Sequence, residues 1–322
     1  MKKLFLSILS IGLFIPFKTI AQDSKVNIST TYDNPYKNKW NVGLILAGID
    51  VQNKSAGGVY YMLHGRYTMG KLFTFHANAA FDLTTFIGKD GIVKASPVYS
   101  KLDPFTHLEA RASLHFSDKE GTMNNKIKLG QDANYKYSTN YTTKSRNVYA
   151  FTASLNLVNN IGSQMDDSAA KYRVLTLTDQ NNNDVGFKGN SYINQKNMIL
   201  GAGIHIGQYT HFKGVFSASS FKKTRRVKKS LEANFEFLLG LAIGVGDKAY
   251  WENPNTKIIE EYKIKDAEKK RLGGRISMDY GSNKVGWFQH FEMGYRPGLS
   301  APNTQSKWLN QGYINMGVGF GF

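Results

Sequence analysis

The sequence predicts an all-β fold, a closed antiparallel transmembrane β-barrel of about ten strands, with eight to twelve compatible. Three observations carry that expectation. From Phe105 to Ser117, Thr106, Leu108, Ala110, Ala112, Leu114 and Phe116 share one face, and His107, Glu109, Arg111, Ser113, His115 and Ser117 share the other. A strand makes that separation and a helix does not. The split recurs from Leu72 to Thr85, where Phe73, Phe75, Ala77, Ala79, Phe81 and Leu83 oppose Thr74, His76, Asn78, Asp82 and Thr84. The third observation is compositional: 13% aromatic residues, 31 Gly and only 7 Pro accompany a mean hydropathy of -0.37. A chain so rich in strand formers yet polar on average fits a wall that hides its hydrophobicity in every second position.

Taken in order, Met1-Lys2-Lys3, the apolar stretch from Leu4 to Phe17, and Thr19-Ile20-Ala21 read as a cleavable secretory signal over residues 1–21. Its apolar core is shorter than the roughly 20 residues of a spanning helix. Residues 22–39 follow as a periplasmic N-terminal tail and residues 40–322 as one barrel domain. The strand candidates are Trp40 to Gln52, Val59 to Met69, Leu72 to Thr85, Phe105 to Ser117, Asn147 to Asn159, Asn197 to His211, Leu231 to Gly246, Lys270 to Gly281, Val285 to Arg296 and Gly312 to Phe322. Each is near the length that crosses a bilayer when tilted, about 9 to 11 residues. No interposed helical pattern supports a βαβ arrangement.

The terminal segment Gly312 to Phe322 sets Ile314, Met316, Val318, Phe320 and Phe322 against Tyr313, Asn315 and three glycines. It resembles the C-terminal recognition strand of bacterial outer-membrane β-barrels, with Phe320 and Phe322 as the assembly signal. With the signal segment and the alternation, the mature chain resembles a generic member of that class from a Gram-negative envelope. The resemblance implies the cell outer membrane, its lipid, and the barrel-assembly machinery as a partner.

Short periplasmic turns and longer outer loops are the rule in such barrels. Counting back from a periplasmic Phe322 puts Gly281 to Lys284 and Met69 to Lys71 at the periplasmic side, and Ile87 to Pro104, Asn160 to Lys196, Asp247 to Lys269 and Gly298 to Leu309 outside. Asp118 to Arg146 and Phe212 to Ser230 are long for periplasmic connections. They are either inner-side extensions or a missed hairpin, and Gln131 to Thr143, with Tyr135, Tyr137 and Tyr141, is the tract able to pair.

Chemistry is harder to read. The inward register collects His64, Arg66, His76, Asp82, His107, Glu109, Arg111, His115, His205, Glu232, Glu236, Arg271, Arg275, Asp279, His290, Glu292 and Arg296, with His211 in the same register. Histidines with carboxylates suit a metal or acid/base site. A charged interior of paired signs explains the arginines as well, because a narrow barrel fills with side chains. The sequence therefore assigns these residues to a lumenal polar network and assigns no catalytic, cofactor or metal residue. His107, Ser113 and His115 share a face, but no nucleophile elbow accompanies them. Glycines on inward positions, such as Gly201 and Gly317, leave room for bulkier neighbours.

Lys222, Lys223, Arg225, Arg226, Lys228 and Lys229 form the densest basic run. Without interleaved aromatics it is no nucleic-acid signature. It reads as a solvated periplasmic turn or as a site for anionic headgroups or an acidic envelope protein. Losing Lys2, Lys3 and Lys18 with the signal takes the formal charge from +17 to +14, a balance that suits lipopolysaccharide phosphates. Trp40, Tyr67, Tyr149, Trp251, Trp287, Tyr295 and Trp308 near strand ends read as headgroup-level rings. With no Cys there is no disulfide, thiolate site or lipidated cysteine. The expected function is that of a non-catalytic outer-membrane protein, structural, accessory or surface-binding. A small diffusion pore is the alternative and a lipid-modifying enzyme the third reading.

Overall fold

A computed structural model describes residues 27–52, 56–83, 106–131, 136–164, 177–185, 191–218, 221–253, 255–264, 268–282, 287–300 and 312–321. Residues 1–21, expected as a signal, and Trp308 and Phe322 lie outside them. The strands are β1 (Asn27–Asp33), β2 (Trp40–Gln52), β3 (Ala56–Met69), β4 (Phe73–Asp82), β5 (Thr106–Gln131), β6 (Lys136–Gln164), β7 (Leu177–Thr178), β8 (Ser191–Ala218), β9 (Phe221–Glu252), β10 (Ile259–Ile264), β11 (Glu268–Lys270), β12 (Leu272–Ser282), β13 (Trp287–Tyr295), β14 (Gly298–Ser300) and β15 (Gly312–Gly321). A single 3-10 turn, Pro35–Lys37, lies between β1 and β2 among the described residues.

The wall is a closed antiparallel barrel of 10 strands, in the order β2-β3-β4-β5-β6-β8-β9-β12-β13-β15 and back to β2. These are the ten segments with period-two alternation. Closure is made by β15, which pairs with β13 on one side and with β2 on the other, from Tyr313 opposite Gln52 to Gly321 opposite Gly43. Pairing the last strand to the first removes the open edge that would otherwise invite aggregation. The β15–β2 register slips between Val318 and Gly319. A Cβ at Gly319 would stand 1.8 Å from the Leu44 carbonyl oxygen, so only glycine permits this approach. The tight turn between β3 and β4 uses Gly70 at φ 57, a left-handed conformation that glycine enters without strain.

Burial is inverted relative to a water-soluble protein. Phe151 is 61% exposed and Phe237 84%, and Leu63, Leu114, Leu155, Leu200, Ile204 and Leu239 also face outward. Arg, His, Glu and Asn fill the interior, most of them under a tenth exposed. Inward glycines make the room that was expected of them: a Cβ at Gly317 would meet Ile45 at 2.7 Å, and one at Gly201 would meet Ser154 at 2.3 Å. At the tight-turn end, outward rings pair as Trp40 with Tyr67 at 4.1 Å, Phe116 with Phe151 at 4.8 Å and Trp287 with Phe320 at 6.0 Å. Trp251 instead packs against Leu177, Ile243, Ala249 and Tyr262 beyond the other end.

The two long connections are extensions of existing hairpins. β5 and β6 stay paired from Asp118 opposite Val148 to Gln131 opposite Lys136. β8 and β9 stay paired down to Ala218 opposite Phe221. The segment expected as an N-terminal tail supplies β1, which pairs with β8 from Asn27 opposite Ser217 to Asp33 opposite Phe212. Tyr141 of one hairpin packs against Phe212 and Phe216 of the other, with ring centroids 5.3 and 5.0 Å apart. A platform of two hairpins and a fifth strand therefore projects from the tight-turn end.

Candidate functional site: a charged lumen

Inward alternation places one polar side chain from nearly every strand into a narrow tube, and ion pairs then join facing walls. The centre is Arg275 on β12. Its Nε donates to Glu236 at 2.6 Å, Nη1 to Glu292 at 3.3 Å and to Asn156 at 3.0 Å, and Nη2 to Glu109 at 2.5 Å and to Ser154 at 3.1 Å. Those partners sit on β5, β6, β9 and β13, so one guanidinium ties both sides of the lumen together. Arg111 adds a second cation, 2.6 Å from Glu109 and 3.4 Å from Glu236. Three buried carboxylates thus share two arginines, the condition under which buried charge is tolerated.

Toward the loop end, Arg296 pairs with Asp50 at 2.9 Å and lies 3.9 Å over the Tyr313 ring, whose hydroxyl donates to Glu292 at 2.5 Å. Asp82 is buried opposite Tyr60 in the β3–β4 ladder. His290 bonds Asp279 at 2.7 Å, His64 bonds Asn78 at 2.7 Å, and Asn78 donates to Glu109 at 2.9 Å. Toward the tight-turn end, Arg66 donates to Glu232 at 3.1 Å and to the Asn38 side chain at 2.9 Å, with its guanidinium 4.3 Å over Tyr209. Arg146 then clamps Asp118 through Nε at 3.0 Å and lies 4.8 Å over Tyr36 of the N-terminal segment. That segment caps the lumen, since the Asn38 amide donates to the Lys229 carbonyl at 3.0 Å.

Every residue that the sequence assigned to the network is buried inside except Arg271, which is a correction. Arg271 stands in the break between β11 and β12, above Leu272 opposite Leu239, where the β9–β12 ladder begins. With the wall ending there, its side chain is exposed and donates to the Leu241 carbonyl at 3.5 Å. His211 belongs to the platform, bonded to Tyr32 at 3.0 Å. His107, Ser113 and His115 do not form a relay: Ser113 donates to Thr152 at 3.1 Å, His115 bonds Thr74 at 2.9 Å, and His107 bonds Asn156 at 3.3 Å.

Sequence reasoning missed one grouping. His76 on β4, His205 on β8 and Glu232 on β9 bring one ligand atom each within 4.8 Å of one another, all buried. These strands are not all neighbours in the wall, so no spacing along the chain announces the cluster.

The basic run is also a correction. It is not a turn: Lys222 to Lys229 form the β9 side of the platform, paired with β8 from Ser217 opposite Lys222 to Thr210 opposite Lys229. Lys222 and Arg226 are exposed, Lys228 donates to the Trp40 carbonyl at 2.6 Å, and Lys229 donates to Asn125 at 3.0 Å. The Lys223 side chain lies outside the described residues. Phe320 of the expected assembly signal points outward against Trp287. At the loop end, Asp179 accepts from the Asn183 backbone N–H at 2.9 Å and side-chain amide at 3.1 Å and from the Asn181 N–H at 2.8 Å, and these bonds, those from Asn183 foremost, hold its carboxyl below the ordinary carboxylate value. Burial pushes the Tyr262 hydroxyl up to about 12, with Glu260 adding to the effect.

The site defines a closed barrel with a filled polar interior. No protein-family model, curated protein or solved structure matches this chain.

Proposed function

We propose that this chain is an integral outer-membrane β-barrel of a Gram-negative envelope, non-catalytic, acting as a structural or accessory component that binds an envelope partner. Support for a membrane location comes from the apolar outer face, which suits lipid and is costly in water. The observation that carries the non-conducting, accessory reading is Arg275, bonded to groups on both sides of the lumen. A pore needs continuous water where those side chains stand. The platform supplies a surface for a partner: β8 and β9 continue beyond the wall with β1 paired alongside β8, and Lys222 and Arg226 of β9 are exposed there, suited to an acidic protein face or to anionic headgroups.

Reconstitution in planar bilayers tests the reading against its alternative. Folded protein should give no steady single-channel conductance, and crosslinkers placed on the platform should capture one envelope protein. Stable ohmic channels would make this a diffusion pore and overturn the accessory role.

A further inference from the structure

We propose that His76, His205 and Glu232 form a binding site for one divalent transition-metal ion, with the Tyr209 hydroxyl beside its open position. The sequence offers histidines and carboxylates on the inward register but does not bring these three together. Three independent observations support it.

The first is donor orientation. Asn234 donates through Nδ2 to Ser277 at 3.2 Å, which leaves its Oδ1 to accept from His205 Nδ1–H at 2.8 Å. A histidine held in that tautomer presents the lone pair of Nε2 to the lumen, the arrangement found behind metal-ligating imidazoles. Nε2 lies 3.2 Å from the Tyr209 hydroxyl.

The second is polar capacity left unused. Both ring nitrogens of His76 and the Glu232 Oε2 are buried without a hydrogen-bond partner, although Glu232 Oε1 is held by Arg66. His76 Nε2 and Glu232 Oε2 approach to 3.3 Å. That separation fits two donors on one ion, since tetrahedral ligands at about 2.1 Å from a metal stand about 3.4 Å apart. His205 is within 4.8 Å of both, so coordination draws it inward by up to about 1.4 Å.

The third is donor type. Two imidazoles and one carboxylate suit zinc and its neighbours, whereas calcium and magnesium require more oxygens. Arg66 does not oppose the ion directly. It occupies the other oxygen of Glu232 and rests on the Tyr209 face, and there it fixes the carboxylate for monodentate binding. The cluster lies one side-chain layer from the tight-turn end, where Asn38 both bonds Arg66 and lines the mouth with Asn41, Lys228 and Ser230. Arg275 closes the route from the loop end.

The test uses the full mature chain, folded in detergent, stripped of metal and checked by heat-modifiable migration. Co2+ titration should show one equivalent bound with the absorption of a four-coordinate ion, and Zn2+ should displace it. Asn234→Ala should weaken binding about 10- to 100-fold, His205→Ala and Glu232→Gln by more, and His107→Ala should leave affinity unchanged. X-ray absorption of the wild-type Co2+ protein, which needs no variant, should show two imidazoles and oxygen. No binding at millimolar Co2+, a ligand set lacking two imidazoles, or equal affinity after His205→Ala and Glu232→Gln would overturn the site.

Discussion

The wall and the platform are built from the same strands with the same alternation, yet they bury opposite faces. Along β8 in the wall, Leu200, Ile204 and Ile206 are exposed and His205 and Tyr209 are buried. Past Tyr209 the outward register continues as Phe212 and Phe216, which are 1% and 0% exposed. β6 switches likewise: Phe151 and Tyr149 face out, but Tyr141 and Thr143 of that register are buried. On β9, Leu231 and Phe235 face out while Val227 is buried. Once the hairpins leave the closed wall, the stronger right-handed twist of two-stranded ribbons turns their outer faces onto each other. Alternation therefore specifies which residues stay together on a face, while the surroundings decide what that face meets.

Breaking the wall should have the largest effect. Deleting Phe320 to Phe322 removes the closing rungs of β15 against β2, and we expect degraded or unassembled protein, seen as loss of the heat-modifiable band. Arg275→Ala should come next. It leaves Glu109, Glu236 and Glu292 with much of their compensation gone, at a cost of about 3 to 5 kcal/mol, read by urea unfolding in lipid vesicles. Phe216→Ala should destabilise the platform by a similar amount, about 3 to 5 kcal/mol, while the barrel stays intact. Hydrogen exchange would then rise in residues 212–230 and not in the wall. Leu108→Arg, on the outer face of β5, should cost about 2 to 4 kcal/mol near the bilayer midplane.

Much of this contrast is written in the sequence, and the limits are physical. All ten wall strands follow from period two, because alternation is a local property that one strand reports alone. Asp118 to Arg146 and Phe212 to Ser230 are too long for tight turns because their hairpins continue past the wall, and connection length alone does not separate a loop from a strand extension. Membership of the lumen was legible for residues such as Glu109 and Arg275. Their pairing was not, because it joins β5 to β12 across the barrel and depends on register and shear. Arg271 fits the inward parity but lies above the last rung, where parity no longer implies enclosure.

The smallest expected effect is at the loop end. The folded value of Asp179 lies below the ordinary 3.8, so its contribution is present above that pH and is lost as pH falls through the folded value. Protection of the Asn183 amide, taken relative to its intrinsic exchange rate at each pH, should fall on acidification into that range, and Asp179→Asn should remove the dependence.

The most direct test uses the absence of cysteine in the chain. Single cysteines from position 200 to 216 on β8, each carrying a spin label in lipid vesicles, would report contact with a lipid-phase quencher residue by residue. Contact should be strong at 200, 204 and 206, absent at 205 and 209, and absent at 212 and 216 despite their outward register. Lipid contact persisting at 212 and 216, or water contact at 200 and 204, would contradict the account.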